Sequence, residues 1–161
     1  MGAGKISFAP GTWGSLVGLA YFYLQTTIYN AADSFFPLGY KFYYGFADML
    51  VWLAIGLYCC KIYEAKSEEH DASEIVIDEF VGQYLTCIIA IWGFVDFLNI
   101  PINNNLALAV CFVFFRIFDI VKRGPVGWID RNIKGGKGVM FDDVVAGILA
   151  GLTSGLVFIL L

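Results

Sequence analysis

Residues 142–161 read DDVVAGILAGLTSGLVFILL: two aspartates are followed by 18 residues that carry no charge. The hydrocarbon core of a bilayer needs about 20 predominantly apolar residues from a spanning helix. The uncharged stretch approaches that length, and its glycines suit a helix that packs closely against another. We therefore predict that this segment spans a membrane. Asp142 and Asp143 are expected at the start of the helix, where carboxylates can cap exposed amides.

Four other stretches of the chain have the same character. Residues 13–32, 80–95 and 97–115 carry no charge, and residues 42–60 are interrupted only by Asp48. The whole chain of 161 residues is 59% hydrophobic and 15% charged, with a mean hydropathy of +0.72. A soluble domain of this size needs more charge to cover its surface. The chain is therefore predicted to be an integral membrane protein.

The count of spans follows from these stretches. We predict a single integral-membrane domain over residues 1–161, an all-α polytopic bundle with about five spanning helices. The alternative is four spans and one re-entrant or surface helix. The region after Asn99 is the least regular of the five, because Pro101 and the three asparagines at 103–105 are typical of a turn.

The positive residues support a common side for the polar loops. Nine of the ten Lys and Arg residues fall in three regions that five spans place on one side of the membrane, and only Lys41 falls on the other. The positive-inside rule then assigns the three regions to the cytoplasm. The bilayer is the expected partner and nucleic acid is not, because the sequence has no basic face with interleaved aromatic residues. The oligomeric state is left open.

Polar residues also precede the first span. The chain reads GAGK at 2–5 and PGTWGS at 10–15. Thr12 or Ser15 can cap the first helix, and exposed amides at a helix start attract anions. With Lys5 nearby, this segment is a candidate cradle for a phosphate group. A simple helix cap with flexible glycines is the competing interpretation.

Two adjacent acids, Asp78 and Glu79, stand at the mouth of the third predicted span. Carboxylates at a membrane helix entrance are costly unless they are solvated, paired or bound to a metal. Gly82 lies on the same side of the helix and would let another backbone approach. The preceding loop, residues 64–74, holds further acids and His70, and is typical of a solvated surface.

A third polar segment lies at the end of the fourth span. Arg116, Asp119 and Lys122 are neighbours on one helical face and form a basic–acidic–basic stripe. An Arg116–Asp119 pair that merely neutralises itself is the alternative interpretation. The carboxylates of the following segment favour a shared polar site instead.

The fourth segment joins the last two spans. Asp130 and Arg131 are followed by Gly135 and Gly136, which permit a tight bend of the backbone beside a ligand. Capping explains one of the two aspartates at 142–143 better than it explains both. Gly147 and Gly151 predict close helix packing beneath this segment.

The residue types in these four segments favour one kind of chemistry. Carboxylates with no cysteine and almost no histidine suit a hard cation that prefers oxygen, Mg²⁺ before Zn²⁺. A Mg²⁺ held by carboxylates usually acts on phosphates, and Arg and Lys suit phosphate oxygens. The sequence thus predicts phosphoryl chemistry on an amphipathic substrate.

Taken in order, the segments GAGK with PGTWGS, DEFVG, FRIFD, and DR with GGKGVMFDDVVAG closely resemble the phosphatidylglycerophosphatase A family of bacterial membrane enzymes. The resemblance runs from Gly2 to about Gly147. One departure is the sequence KRGP at 122–125, where family members generally have Lys-Pro-x-Pro, so we expect a looser turn.

The resemblance implies a phosphoric monoester hydrolase of the bacterial inner membrane that uses Mg²⁺ to convert phosphatidylglycerophosphate to phosphatidylglycerol, with its active site facing the cytoplasm. We assign catalytic roles to Asp78, Glu79, Asp119, Asp142 and Asp143. The predicted metal ligands are Asp78, Glu79, Asp130, Asp142 and Asp143. The predicted phosphate-binding residues are Lys5, Thr12, Ser15, Arg116, Lys122, Arg131, Gly135 and Gly136.

Other functions remain compatible with parts of this pattern. A Mg²⁺-dependent phosphatidyltransferase also uses clustered aspartates in a helical bundle. A cation transporter or channel is less favoured, because its acids are expected at the membrane midplane rather than at span ends. Attack by water and an aspartyl-phosphate intermediate are both compatible with the sequence, as is a side activity on other lipid phosphates.

Overall fold

The computed structural model describes residues 9–32, 36–37, 39–66 and 76–161, and within these ranges the chain is helical and has no β-strand. The helices are α1 (Pro10–Ala32), α2 (Tyr40–Lys66), α3 (Ile77–Cys87), α4 (Asp96–Leu98), α5 (Asn104–Val121), α6 (Pro125–Asn132) and α7 (Gly136–Leu160). A π-helical segment, Ile88–Val95, joins α3 to α4. The predicted all-α architecture is confirmed.

Four helical stretches in the described ranges are long and apolar enough to span a membrane, against the five that we predicted. They are Tyr40–Tyr63, Ile77–Leu98, Asn104–Val121 and Gly136–Leu160. The helix that does not qualify is α1, which has 23 residues and no charge. Its glycine, threonine, glutamine and asparagine residues make it less apolar than the other four.

The uncertain region after Asn99 resolves into a turn and a helix. Asn103 caps α5, because its Oδ1 accepts hydrogen bonds from the backbone N–H groups of Asn105 and Leu106 at 2.9 and 3.3 Å. The turn predicted across the three asparagines is therefore wrong for Asn104 and Asn105, which are the first residues of α5. The helix that follows is one of the four candidate spans.

Close contacts at two glycines of α7 show its direction relative to α3. A Cβ on Gly147 would lie 2.5 Å from the carbonyl oxygen of Gly82, and a Cβ on Gly155 would lie 2.4 Å from the ring of Phe94. Residues later in α7 thus meet residues later in the stretch that begins with α3, so the two run parallel. The predicted close packing at Gly82 and Gly147 is confirmed.

The other long helices pack around this pair, some parallel and some antiparallel to it. α1 runs parallel to α3, since Gly11 lies beside Glu79 and the Tyr29 ring packs against the Trp92 ring with centroids 5.5 Å apart. α2 runs antiparallel, since Gly45 meets the same Trp92 ring and Gly56 approaches Ile77.

The arrangement gives the bundle two distinct ends. α5 is also antiparallel to α3: Phe115 contacts Gly82, whereas Asn104 shares a cavity wall with Asp96. The starts of α1, α3 and α7 therefore meet the ends of α2 and α5, and we call this the carboxylate end. The end of α1, the starts of α2 and α5, and α4 form the opposite end, which we call the far end.

Candidate active site

Three carboxylates come together at the carboxylate end. One oxygen from each of Asp78, Glu79 and Asp143 lies within 4.8 Å of the others. Asp78 and Asp143 are only 6% and 3% exposed. We call these three residues the carboxylate triad.

The packing of α3 on α7 explains how acids 64 positions apart in the chain meet. Asp78 and Glu79 occupy the first turn of α3. The backbone of Asp143 passes so close to α3 that a Cβ on Gly82 would lie 2.6 Å from the Asp143 carbonyl oxygen. A larger residue than glycine at 82 would hold the two helices apart. The triad therefore depends on backbone contact between two parallel helices.

Two oxygens of the triad lack any hydrogen-bond partner in the described part of the chain. They are Oδ1 of Asp78 and Oε2 of Glu79, and both are buried. A buried carboxylate oxygen without a partner is costly, and such groups are normally paired or bound to a metal. The donor set consists of carboxylate oxygens alone, which suits a hard divalent cation such as Mg²⁺. The residues at this position therefore fit a metal ion.

Arg116 lies on one side of the triad. Its Nη1 donates to Asp119 Oδ2 at 2.6 Å and to Ser15 Oγ at 3.3 Å. The Ser15 hydroxyl in turn donates to the carbonyl oxygen of Gly11 at 2.9 Å. A guanidinium has five N–H donors, so Arg116 keeps others for a ligand. Asp119 and Ser15 thus hold the Arg116 side chain in place.

Gly11 adjoins the candidate site, although the sequence alone suggested no role for it. A Cβ there would lie 2.2 Å from Oε1 of Glu79 and 3.3 Å from Nη1 of Arg116. The absence of a side chain makes room for both groups. The glycine is part of the PGTWGS segment, so the signal was present in the sequence, but only the fold shows which neighbours need the space.

Lys122 lies on the other side of the site, between two aspartates. Its Nζ donates to Asp142 Oδ2 at 2.6 Å and to Asp130 Oδ1 at 2.8 Å. Burial lowers the pKa of Lys122, but the hydrogen bonds to Asp130 and Asp142 outweigh burial and raise it overall. The hydrogen bond from Lys122 lowers the pKa of Asp130. Lys122 is therefore a stable positive charge at the edge of the site.

The backbone around Lys122 differs from a regular helix end. Lys122 has φ 44° and caps α5 in the left-handed conformation, with its N–H bonded to the carbonyl oxygen of Phe118. Gly124 has φ 62°, and Pro125 then begins α6. The two left-handed residues turn the chain sharply, so Lys122 and Asp130 lie on the same side of that turn.

Most of the predicted site residues are brought together at this end. They are Asp78, Glu79, Asp119, Asp142, Asp143, Ser15, Arg116 and Lys122. Asp142 and Asp130 contact Lys122 and are absent from the triad. Asp130 is also on the rim, with 43% of its side chain exposed.

Some local expectations about these residues were wrong. α7 begins at Gly136, so Asp142 and Asp143 lie beyond its first turn and cannot cap its start. α1 begins at Pro10, so Thr12 and Ser15 are inside the helix rather than before it. Ser15 satisfies its hydroxyl within the helix and supports Arg116 instead of binding free amides.

Three more of the predicted residues lie away from the triad, namely Gly135, Gly136 and Arg131. Gly135 turns the chain into α7 with φ 74°, and Gly136 packs against Cys60 of α2. Arg131 is exposed in the last turn of α6. Lys5 lies outside the described residues.

Comparison with known proteins identifies consistent relatives. The family model described as phosphatidylglycerophosphatase A matches residues 1–158. Phosphatidylglycerophosphatase A of Escherichia coli (strain K12) is 36% identical over 149 residues, which cover 92% of this chain and 74% of the relative. The protein of the same name from Haemophilus influenzae is 34% identical, covering 92% of this chain and 78% of the relative.

A third relative has a different name. A Bacteroides thetaiotaomicron protein described as a candidate phosphatidylinositol-3-phosphatase is 35% identical over 150 residues, which cover 91% of this chain and 82% of the relative. No solved structure matches the chain significantly.

Proposed function

Because the chain belongs to the phosphatidylglycerophosphatase A family and is therefore a phosphoric monoester hydrolase, we propose that it hydrolyses phosphatidylglycerophosphate to phosphatidylglycerol and phosphate. The observation that carries this proposal is the carboxylate triad, with two buried oxygens that lack partners. Arg116 and Lys122 flank the triad and supply the positive charge that a phosphomonoester needs.

We further propose that Asp78, Glu79 and Asp143 hold Mg²⁺. When bound, the ion supplies Lewis-acid polarisation of the phosphate and favours formation of a nucleophile at neutral pH. Asp142 and Asp130 are not needed as ligands in this proposal, because each already accepts a hydrogen bond from Lys122.

The flanking residues bind and orient the substrate phosphate. Arg116 presents a guanidinium that Asp119 and Ser15 fix in place, so little side-chain entropy is lost when it binds phosphate oxygens. Lys122 stays protonated because its pKa is raised, so it neutralises charge rather than passing a proton to the leaving glycerol oxygen. Positive groups fixed before the reaction stabilise the charge that moves onto the leaving oxygen.

The substrate tails remain in the bilayer in this scheme. Ile117, Ile120 and Val121 at the end of α5 are about half or more exposed. Apolar surface that can contact lipid tails therefore extends along α5 as far as Lys122. We place the protein in the bacterial inner membrane with the carboxylate end in the cytoplasm. The supporting observation is that Lys41 lies at the far end, whereas the other described basic side chains lie at the carboxylate end: Lys61, Arg116, Lys122, Arg123, Arg131, Lys134 and Lys137.

The name of the Bacteroides relative favours a second candidate substrate. Phosphatidylinositol 3-phosphate also carries a phosphomonoester on a lipid headgroup, so the same metal and cations could act on it. The two headgroups differ in bulk, and the inositol ring needs more room beside Arg116 and Lys122. We rank this substrate second because the two relatives with the other name agree with each other.

Phosphate release from three lipids tests the proposal. Purified protein in mixed micelles is assayed with phosphatidylglycerophosphate, phosphatidate and phosphatidylinositol 3-phosphate, each with Mg²⁺ and with EDTA. We expect Mg²⁺-dependent release that favours phosphatidylglycerophosphate by about 10-fold or more, the scale set by differences in headgroup contacts. Preference for the inositol lipid would support the second candidate, and release that EDTA leaves unchanged would contradict the metal assignment.

Gly11→Ala tests the space beside Glu79. The new Cβ meets the flexible end of the Glu79 side chain, so the fold should survive while the carboxylate shifts. We expect the apparent Mg²⁺ affinity to fall about 10-fold or more, as for other changes that reorient a metal ligand. The measurement is a Mg²⁺ titration of phosphate release. Leu16→Ala, on the exposed side of the same helix, serves as the control and should leave the titration unchanged.

A further inference from the structure

The far end of the bundle contains cavities that the proposed chemistry does not use. One of about 410 Å³ is lined in part by Lys41, Trp92 and Asp96, and a second of about 240 Å³ shares the Trp92 wall. A third, of about 170 Å³, is also lined by Asp96 and reaches Thr26. The largest falls within the range of about 300–1,000 Å³ that is typical of ligand pockets.

The backbone at these cavities is irregular. Residues Ile88–Val95 form a π-helix between α3 and α4. π-helical turns are rare and often occur at functional sites. Gly93 lies in this segment, where a Cβ would come within 3.2 Å of the Phe42 ring. The irregular segment and a glycine thus shape the wall between the π-helix and the start of α2.

Polar groups line the cavities at this end. Lys41 Nζ donates to Asn30 Oδ1 at 2.8 Å and lies 3.8 Å from Asp96 Oδ2. Among the described residues, the Trp92 indole N–H and the Thr26 hydroxyl are buried and have no hydrogen-bond partner. Trp92 is 1% exposed, so its indole ring is almost fully surrounded by protein. The walls therefore offer donors, a cation and a carboxylate, and 39% of the Asp96 side chain is exposed.

The surroundings of the cavities are apolar and aromatic. Tyr40 and Phe36 stack with ring centroids 4.8 Å apart on one side, and Phe97 and Tyr43 stand at the rim with 59% and 73% exposure. Exposed aromatic side chains at the end of a membrane bundle are typical of the lipid–water interface. A ligand of this site must suit both the polar floor and this apolar rim.

We propose that the far end binds a phospholipid headgroup from the leaflet opposite the active site, a function separate from phosphomonoester hydrolysis. Lys41 pairs with the phosphodiester, and Asp96 accepts a hydrogen bond from an ammonium or hydroxyl group of the same headgroup. The aromatic rim packs against the glycerol and the upper acyl chains. Phosphatidylethanolamine and phosphatidylglycerol both have this combination of phosphodiester and donor, and phosphatidylcholine has no donor for Asp96.

Native mass spectrometry of the full chain in detergent tests the proposal. The probes are phosphatidylglycerol, phosphatidylethanolamine and phosphatidylcholine with identical acyl chains, each at a series of concentrations. The main variant is Lys41→Gln. Its matched control is Lys61→Gln, because Lys61 is an exposed lysine on the same helix at the carboxylate end. Asp96→Asn tests whether Asp96 accepts a hydrogen bond from the ammonium or hydroxyl group of the headgroup. Circular dichroism shows whether each variant is folded.

The expected result is about 10-fold weaker binding of the first two lipids to Lys41→Gln, the size of one lost charge-assisted contact, with Lys61→Gln like the wild type. Asp96→Asn should reduce the preference for phosphatidylethanolamine over phosphatidylcholine. Equal losses in the two lysine variants would overturn the proposal, because they would show a general charge effect. The proposal would also be overturned if each of the three lipids bound to Lys41→Gln as tightly as it binds to the wild type. Neither outcome depends on phosphatase activity.

Discussion

Asp143→Asn is expected to reduce Mg²⁺-dependent phosphate release by at least about 10³-fold in a protein that remains folded, since loss of metal charge at the transition state is worth several kcal/mol. Asp143 is the only member of the carboxylate triad supplied by α7, so its charge completes a site begun by Asp78 and Glu79. Asparagine keeps the shape of the side chain but weakens binding to a hard cation. The measurement is phosphate release over a Mg²⁺ series.

The neighbouring residue provides the sharpest comparison. Asp142 contacts Lys122 and lies outside the triad. Asp142→Asn should therefore raise the KM for lipid more than it changes the Mg²⁺ dependence. Asp48→Asn is the carboxylate control, because Asp48 accepts a hydrogen bond from the Tyr21 hydroxyl and asparagine can accept it too. If the 142 and 143 variants gave the same Mg²⁺ titration, the assignment of ligands would be wrong.

Gly147→Ala is expected to cost about 1–3 kcal/mol of stability by overpacking. We also expect activity to fall about 10²-fold, the loss that a misplacement of about 1 Å can cause. The reason is that the new Cβ would lie 2.5 Å from the backbone oxygen of Gly82, which cannot rotate away as a side chain can. α7 must then move from α3 and carry Asp143 with it. Thermal unfolding and phosphate release from the folded fraction measure the two effects.

Gly155→Ala is the matched control on the same helix. Its Cβ would meet the Phe94 ring, which can rotate, and this contact is remote from the triad. We expect some loss of stability and unchanged activity per folded molecule. If Gly147→Ala kept full activity while folded, close contact between α3 and α7 would not be what positions the triad.

The sequence predicted the residues of the candidate site better than it predicted their partners. Asp78, Glu79 and Asp143 stood out because acids at the ends of apolar stretches need an explanation. Their separation from Asp142 and Asp130 was not predictable, since it depends on the left-handed turn at Lys122 that brings one lysine between two aspartates. Contacts made across a turn are not encoded in spacing along a helix.

The fold shows the same division. The length and hydropathy of each apolar stretch indicate a helix, so the all-helical bundle was predictable. The span count was harder, because α1 is uncharged yet interrupted by polar residues and falls short of the apolar character of the other four. The far-end cavities were not foreseen, since a π-helical register between α3 and α4 is a tertiary outcome with no distinct sequence signal.

The division of the triad between α3 and α7 has a consequence for how the protein is made. Ribosomes deliver α3 to the membrane some 60 residues before Asp143 emerges, so Asp78 and Glu79 enter the bilayer boundary before their third partner exists. No nascent chain shorter than 143 residues can contain the complete cluster. Under the proposed role of the carboxylate triad, catalytic competence is acquired when α7 inserts beside α3, and phosphatase activity in a translation mixture would report completed insertion of the bundle.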